Sequence, residues 1–175
     1  MNLASTNIKL RALEPADLNY LYRLENDANV WEVSQTLTPY SKFVLKQYLD
    51  NAHKDIFEAK QLRLVIELIE GDKPIGFVDL FDFNPKHRRA GVGIIIFSEE
   101  HRGRGYASEV LEVLINYAQN ILDLHQLFAN ISEANKASIQ LFEKCDFELS
   151  GVKKDWIFSE GNYKNELLYQ LLLKP

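Results

Sequence analysis

A mixed α/β (α+β) domain, with a largely antiparallel sheet of about seven strands flanked by about four helices, is the fold class this sequence predicts. Three observations carry it. Short apolar segments rich in Ile, Val, Leu and Phe, such as residues 8–11 and 90–97, have the length and composition of strands. Between Ala107 and Ile121 the apolar residues instead recur at i, i+3, i+4 and i+7, the period of a helix buried along one face. The segments follow one another as strand, two helices, three strands, helix, strand, helix and two strands, and the short turns between neighbouring strands favour antiparallel pairing.

Taken in order, residues 8–11 alternate as an opening strand. Pro15, at a first helical position with Asp17 behind it, begins a helix running to about Asp27. Thr38-Pro39 opens a second helix, and within residues 39–56 Val44, Leu45, Tyr48, Leu49 and Ala52 fall on one face. Residues 61–70 and 75–82 are apolar strands joined by the turn Gly71-Asp72-Lys73-Pro74, and residues 90–97 form the next strand. The helix with the strongest stripe runs from the Ala107 region to about Leu122. A buried strand follows at 127–132 and a short helix at 137–144, and the last 29 residues read as two strands around Ser159-Glu160-Gly161-Asn162. No repeat, low-complexity tract or linker interrupts the pattern, so residues 1–175 are expected to share one core.

Composition narrows the class of activity. A formal charge of −5 argues against a nucleic-acid partner, whose footprint would be basic, and suits a cationic one. No segment approaches the ~20 apolar residues of a membrane span. Cys145 is the single cysteine, so no internal disulfide forms and no metal is called for; with no signal-peptide pattern in residues 1–30, a reducing cytoplasm is expected.

The most informative run is Arg102-Gly103-Arg104-Gly105-Tyr106-Ala107, at the junction between an apolar strand and the striped helix. The first turn of a helix leaves backbone N–H groups without partners and carries a partial positive charge, so a diphosphate satisfies both. Gly103 and Gly105 let an anion approach the backbone, Arg102 and Arg104 add charged donors, and Ala107 lets the helix start close to its strand. A second block, Asn135 to Phe147, opens the short helix after the 127–132 strand.

Together the two blocks resemble the GNAT superfamily of acetyl-CoA-dependent N-acetyltransferases. Its Arg/Gln-x-x-Gly-x-Gly/Ala turn is matched by Arg102, Gly105 and Ala107, and the Asn that opens its later helix by Asn135. Lys9-Leu10-Arg11, Leu13-Glu14, His87-Arg88-Arg89-Ala90 and Gly161-Asn162-Tyr163 are similar to the spermidine/diamine branch, with the ribosomal-protein N-terminal branch next. The resemblance implies a GNAT fold and acetyl-CoA gripped at Arg102 through Ala107, Tyr106 included. Ile94, Ile95 and Ile96 would bind the pantetheine arm through their backbone, with Asn135, Ser138 and Phe142 flanking it. It implies a small amine as acceptor, a polyamine ahead of a peptide N-terminus, and allows a homo-oligomer. A binding module without chemistry is the third alternative.

Acetyl transfer to an amine needs a proton removed, since an alkyl ammonium has a pKa near ~10.4. Asp79 and Glu133 are the candidate carboxylates; Asp82 is a further one on the same strand as Asp79. Glu25, Trp31, Glu32 and Tyr40, an acidic and aromatic mixture in the early helices and their loop, are candidates for holding a cationic acceptor. Two positions depart from the polyamine branch. Gly91 stands where an acidic residue often follows the Arg-Arg-Ala, and Phe142 replaces a tyrosine that protonates the leaving thiolate. Core packing with Ile139 and Cys145 is the simpler role for Phe142, and Ser138, one turn earlier, is the substitute donor. The length of the acyl group is left open.

Overall fold

The computed structural model describes residues 3–34, 36–97 and 99–173. Seven strands form one sheet in the order β1-β2-β3-β4-β5-β7-β6, and every pairing is antiparallel except β4 with β5. The strands are β1 Ile8–Arg11, β2 Leu62–Leu68, β3 Lys73–Asn84, β4 Arg89–Ile96, β5 Gln126–Ser132, β6 Glu148–Ser159 and β7 Asn162–Leu172. The helices are α1 Leu18–Glu25, α2 Ala28–Ser34, α3 Lys42–Asp50, α4 Ile56–Ala59, α5 Tyr106–Asn120 and α6 Lys136–Lys144.

Each helix boundary has a local cause. The expected first helix is split: Pro15–Asp17 makes a 3-10 turn closed by the Glu14 N–H donating to Asp17 Oδ2 at 2.8 Å, and α1 begins behind it. The second helix starts later than Thr38-Pro39, because Ser41 is its N-cap and accepts the Val44 N–H at 3.2 Å. Two helices escape the periodicity. α4 is a single turn capped by Asp55, which accepts from the Phe57 and Glu58 N–H groups, and ended by Lys60 in the left-handed region. α2 is tied back to α1 by the Trp31 indole N–H, which donates to the Glu25 carbonyl at 2.8 Å. Six helices therefore stand among the described residues where about four were expected.

Strand alternation divides the core between the two faces of the sheet. On one face Leu64, Ile66, Val78, Leu80, Val92 and Leu127 pack against Val110, Leu111 and Leu114 of α5 and Phe142 of α6. On the other, Val65 and Phe77 pack against Leu21, Leu24, Val30 and Leu45 of α1 to α3. Burying a leucine such as Leu111 completely stabilises by about 1.5–3 kcal/mol, so these two layers fix both helix sets on the sheet.

The α1 face also buries charge. Asp17 and Glu67, only 3% and 5% exposed, are bridged by Arg11, which bonds Asp17 at 2.8 and 3.0 Å and Glu67 at 2.6 Å, and Lys9 adds a contact to Glu67. Burial alone would raise both acids, yet their basic partners hold them below the ordinary carboxylate value. In acid the unfolded chain therefore takes up protons first. Their contribution is complete above the ordinary carboxylate pKa near ~4 and is lost as pH falls through the depressed native values. Urea midpoints measured from pH 7 to pH 3 are expected to drop below pH ~5, and Asp17→Asn to give a lower midpoint at pH 7 with a shallower acid decline.

Candidate active site

β4 and β5 run side by side only at Arg89↔Gln126, Ala90↔Leu127 and Gly91↔Phe128. Beyond Gly91 they part, and the rest of β4 pairs with β3 alone, leaving its β5-facing backbone groups open. A cleft of about 450 Å³ opens there, bounded by β4, the turn after it and the first turns of α5 and α6. An unpaired strand edge is a ready template for an extended amide-bearing ligand.

At the outer end of this edge the turn leading into α5 has the features of an anion cradle. Gly103 and Gly105 sit at φ +70° and +86°, a region that side chains with a Cβ rarely enter, and no atom lies within 4 Å of where a Cβ would be. Gly105 caps α5 without any side-chain hydrogen bond; its carbonyl accepts the Ser108 N–H at 3.0 Å, and the amides of Tyr106 and Ala107, both lining the cleft, carry no side-chain cap. Arg102 donates to the Ile96 carbonyl at 3.1 Å through both Nε and Nη2, covering the last backbone acceptor of β4.

The structure gathers most of the residues singled out from sequence, but not all. Ile94, Ile96, Arg102, Gly103, Gly105, Tyr106, Ala107 and Ser138 line the cleft. Ile95 points to the opposite face, where with Tyr20, Leu24, Phe97 and Lys73 it lines a second cavity of about 290 Å³. Arg104 is exposed beside the turn. Asn135 caps α6, accepting the Ser138 N–H at 3.1 Å. Phe142 is 3% exposed in the core, edge-on to Phe147 at 4.9 Å, and its neighbour Leu141 is the residue that meets the cleft. His101, Gln140 and Lys144 also line it; the i, i+4 spacing of Gln140 and Lys144 on the α6 face was a readable signal.

On the α1 face Asp79 pairs in register with Gly93 of β4, just beyond the point where β4 and β5 part. Arg63 of β2 grips it, Nε to Oδ1 at 2.7 Å and Nη2 to Oδ2 at 3.0 Å, while Nη1 reaches Glu25 at 2.5 Å. The guanidinium also lies 5.9 Å from the Tyr48 ring and 5.7 Å from that of Phe77. Burial works against its charge, but Asp79 and Glu25 hold the Arg63 pKa above its ordinary value. One cation and two carboxylates leave this cluster a net single negative charge. Sequence reasoning missed Arg63, which is 38 positions from Glu25 and 16 from Asp79. Glu133 stands at the far end of β5, accepting the Asn165 backbone N–H at 2.8 Å and its side-chain amide at 3.0 Å.

Of the remaining acceptor candidates, Trp31 holds α2 to α1 and Tyr40 is at the surface. The Tyr40 backbone is clamped by Asn26, whose side chain both donates to its carbonyl and accepts its N–H. The side chain of Glu32 lies outside the described residues. Gly91 has a steric reason: a Cβ there would lie 2.3 Å from Cε2 of Phe81, whose ring occupies the space. Among the described residues no group of His, Cys, Asp and Glu is placed to hold a metal, and no helix is long and apolar enough to cross a membrane.

Comparison with known proteins agrees with this geometry. Spermidine N(1)-acetyltransferase of Escherichia coli K12 is 33% identical over 161 residues, 92% of this chain and 83% of that protein. The crystal structure of spermidine N-acetyltransferase from Vibrio cholerae in complex with CoA and spermine superposes with a TM-score of 0.82 at 31% identity, covering 94% of this chain and 95% of the other. A dodecameric structure of the Vibrio enzyme gives 0.78, also at 31% identity, over 94% and 93% of the two chains. The model of the acetyltransferase (GNAT) domain matches residues 7–148. That span holds both the parted strands and the glycine turn, and the chain belongs to the GNAT acetyltransferase family, which makes it an acyltransferase.

Proposed function

We propose that the protein transfers the acetyl group of acetyl-CoA directly to a primary amine of a polyamine such as spermidine. The observation that carries this reading is the open edge of β4, with an anion cradle at one end and an acidic cluster beside the other. The donor fits the residues present: the cradle suits a diphosphate, the open backbone edge suits the amides of pantetheine, and Arg102 and Lys144 supply positive charge along the cleft. Acetyl-CoA supplies an activated thioester when bound. The polyamine acceptor is supported by the similarity to spermidine acetyltransferases and by the net negative cluster of Glu25, Asp79 and Arg63.

The residues divide the work as follows. Open N–H groups of β4 donate to the thioester oxygen as charge develops on it. Asp79, level with Gly93, orients the ammonium and receives its proton directly or through water; both its oxygens bond Arg63 yet retain lone pairs for a further donor. Glu133, five residues beyond the last β4–β5 pair, accepts from Asn165 and serves to hold β7. Ser138 is the one hydroxyl of the candidate donors placed in the cleft by α6. A thiol of pKa near ~8.5 leaves as thiolate at pH 7 for about 2 kcal/mol, so no strong acid is required. Phe142→Tyr is therefore expected to leave kcat unraised and to lower stability by about 1–3 kcal/mol, since the added hydroxyl enters an apolar core. Thermal melts and turnover of this variant check both halves.

The reading takes residues 1–175 as one domain whose seven strands share one sheet, acting in the cytoplasm on a small molecule and not on nucleic acid. Assembly into a homo-oligomer is supported by the dodecameric relative. The test is thiol release from acetyl-CoA across spermidine, spermine, putrescine, amino acids and short peptides. Turnover highest with polyamines upholds the proposal. Turnover with peptides alone moves the acceptor to protein N-termini, and donor binding without turnover reduces the protein to a binding module.

A further inference from the structure

We propose that Phe81 and Phe128 close the inner end of the β4–β5 slot and restrict the donor's acyl group to acetyl, which lies against Gly93. The inference rests on the donor site proposed above and adds the feature that selects acyl length. Gly91↔Phe128 is the last pair before the strands separate, so the Phe128 side chain stands at the vertex of the slot. Phe81 is opposite Gly91 on the other side of β4, and its ring lies over the Gly91 backbone where a Cβ would come within 2.3 Å of it. The two rings meet edge to face at 5.6 Å and 82°, each half-buried, so together they roof the vertex on the α1 face.

Two residues further out, Gly93 has space that Gly91 lacks. A Cβ at Gly93 would find its nearest neighbours at 3.9 Å, on Asp79 Cβ, and 4.0 Å, on Phe81 Cε1. That is room for one methyl group between the strand and the ring. The direction fits as well: from Ile96 back to Gly93 the strand rises roughly 10 Å, a span that an extended pantetheine arm covers when its diphosphate stays at the glycine turn beyond Ile96. The thioester then reaches the level of Gly93, beside Asp79. Each further methylene must displace the Phe81 ring, which is seated over the Gly91 backbone and braced edge to face by Phe128.

Titration calorimetry with free CoA, acetyl-CoA and butyryl-CoA tests this by binding, independently of whether any amine is acetylated. The wild-type chain is expected to bind butyryl-CoA about 10-fold or more weaker than acetyl-CoA, the discrimination a hydrophobic pocket gives for one or two methylenes. Phe128→Ala is expected to bring the two to near parity. Gly93→Ala, which meets no protein atom closer than 3.9 Å, is expected to weaken acetyl-CoA by about 10-fold while leaving free CoA unchanged. Equal wild-type affinity for acetyl- and butyryl-CoA, or a ratio unmoved by Phe128→Ala, overturns the proposal. Should Phe128→Ala not fold, Gly93→Ala decides alone: an equal change for free CoA and acetyl-CoA, or none, overturns it. A chain that binds none of the three ligands overturns the donor site itself.

Discussion

Replacing Asp79 by Asn is expected to lower kcat/KM for the amine by about 10²- to 10⁴-fold, the range typical of a lost general base, with acetyl-CoA affinity unchanged. The size follows from position. Asp79 is the carboxylate on the α1 face directly across from Gly93, the position proposed for the acyl group, and Arg63 fixes both its oxygens. Asn keeps the shape and can still accept from Arg63 through its oxygen, but it takes no proton from an ammonium. Glu25 remains to pair with Arg63, so the guanidinium is not stranded and the fold is expected to survive. Glu133→Gln is the control: it retains an acceptor for the Asn165 amide and is expected to change kcat/KM by less than about 10-fold. The paired kinetics, with circular dichroism to show both variants folded, separate the two carboxylates.

Gly105→Val is expected to weaken acetyl-CoA binding by about 10- to 100-fold, the loss of one or two charge-assisted backbone hydrogen bonds. At φ +86° a β-branched side chain is strained, and relief of that strain turns the amides of the α5 first turn out of line with the diphosphate. No atom lies within 4 Å of the new Cβ, so the core is untouched. The cost to stability is the backbone strain itself, of order 1–3 kcal/mol, small beside the 5–15 kcal/mol that holds a typical domain. Calorimetry gives the affinity and a thermal melt the stability. A variant that stays folded and binds as tightly as the wild type removes the anion cradle from the account.

Much of this architecture was legible in the chain because its signals are local. The seven strands, the α5 stripe and the glycine turn each rest on residues within a few positions of one another. Phe142 belonged to the core on spacing alone, and it is there. What stayed hidden depended on contacts between distant segments or on single hydrogen bonds. α2 carries too short an apolar stripe to show a period and relies on Trp31 reaching back to Glu25. The true start of α3 is decided by which of two hydroxyl residues, Thr38 or Ser41, caps it, a choice made by backbone geometry. Ile95 was grouped with Ile94 and Ile96 for its backbone alone, and its side chain turns, as strand alternation requires, to the opposite face and a second cavity. Arg63 looked like any charged residue in a strand, and only the sheet register and the docking of α1 reveal it as the holder of Asp79 and Glu25. The same holds for Gly91: a missing acidic side chain in sequence becomes, in the fold, the seat of the Phe81 ring.

The central claim is direct transfer of an acetyl group between two ligands held together at the parting of β4 and β5. The measurement that tests it most directly is the initial rate of thiol release with acetyl-CoA and spermidine both varied. Direct transfer requires both to be bound at once, so double-reciprocal lines are expected to intersect, with one acetylspermidine formed per thiol released. Parallel lines, or a burst of thiol in the absence of spermidine, would signal an acylated enzyme and contradict the account, as would no thiol release with spermidine at all.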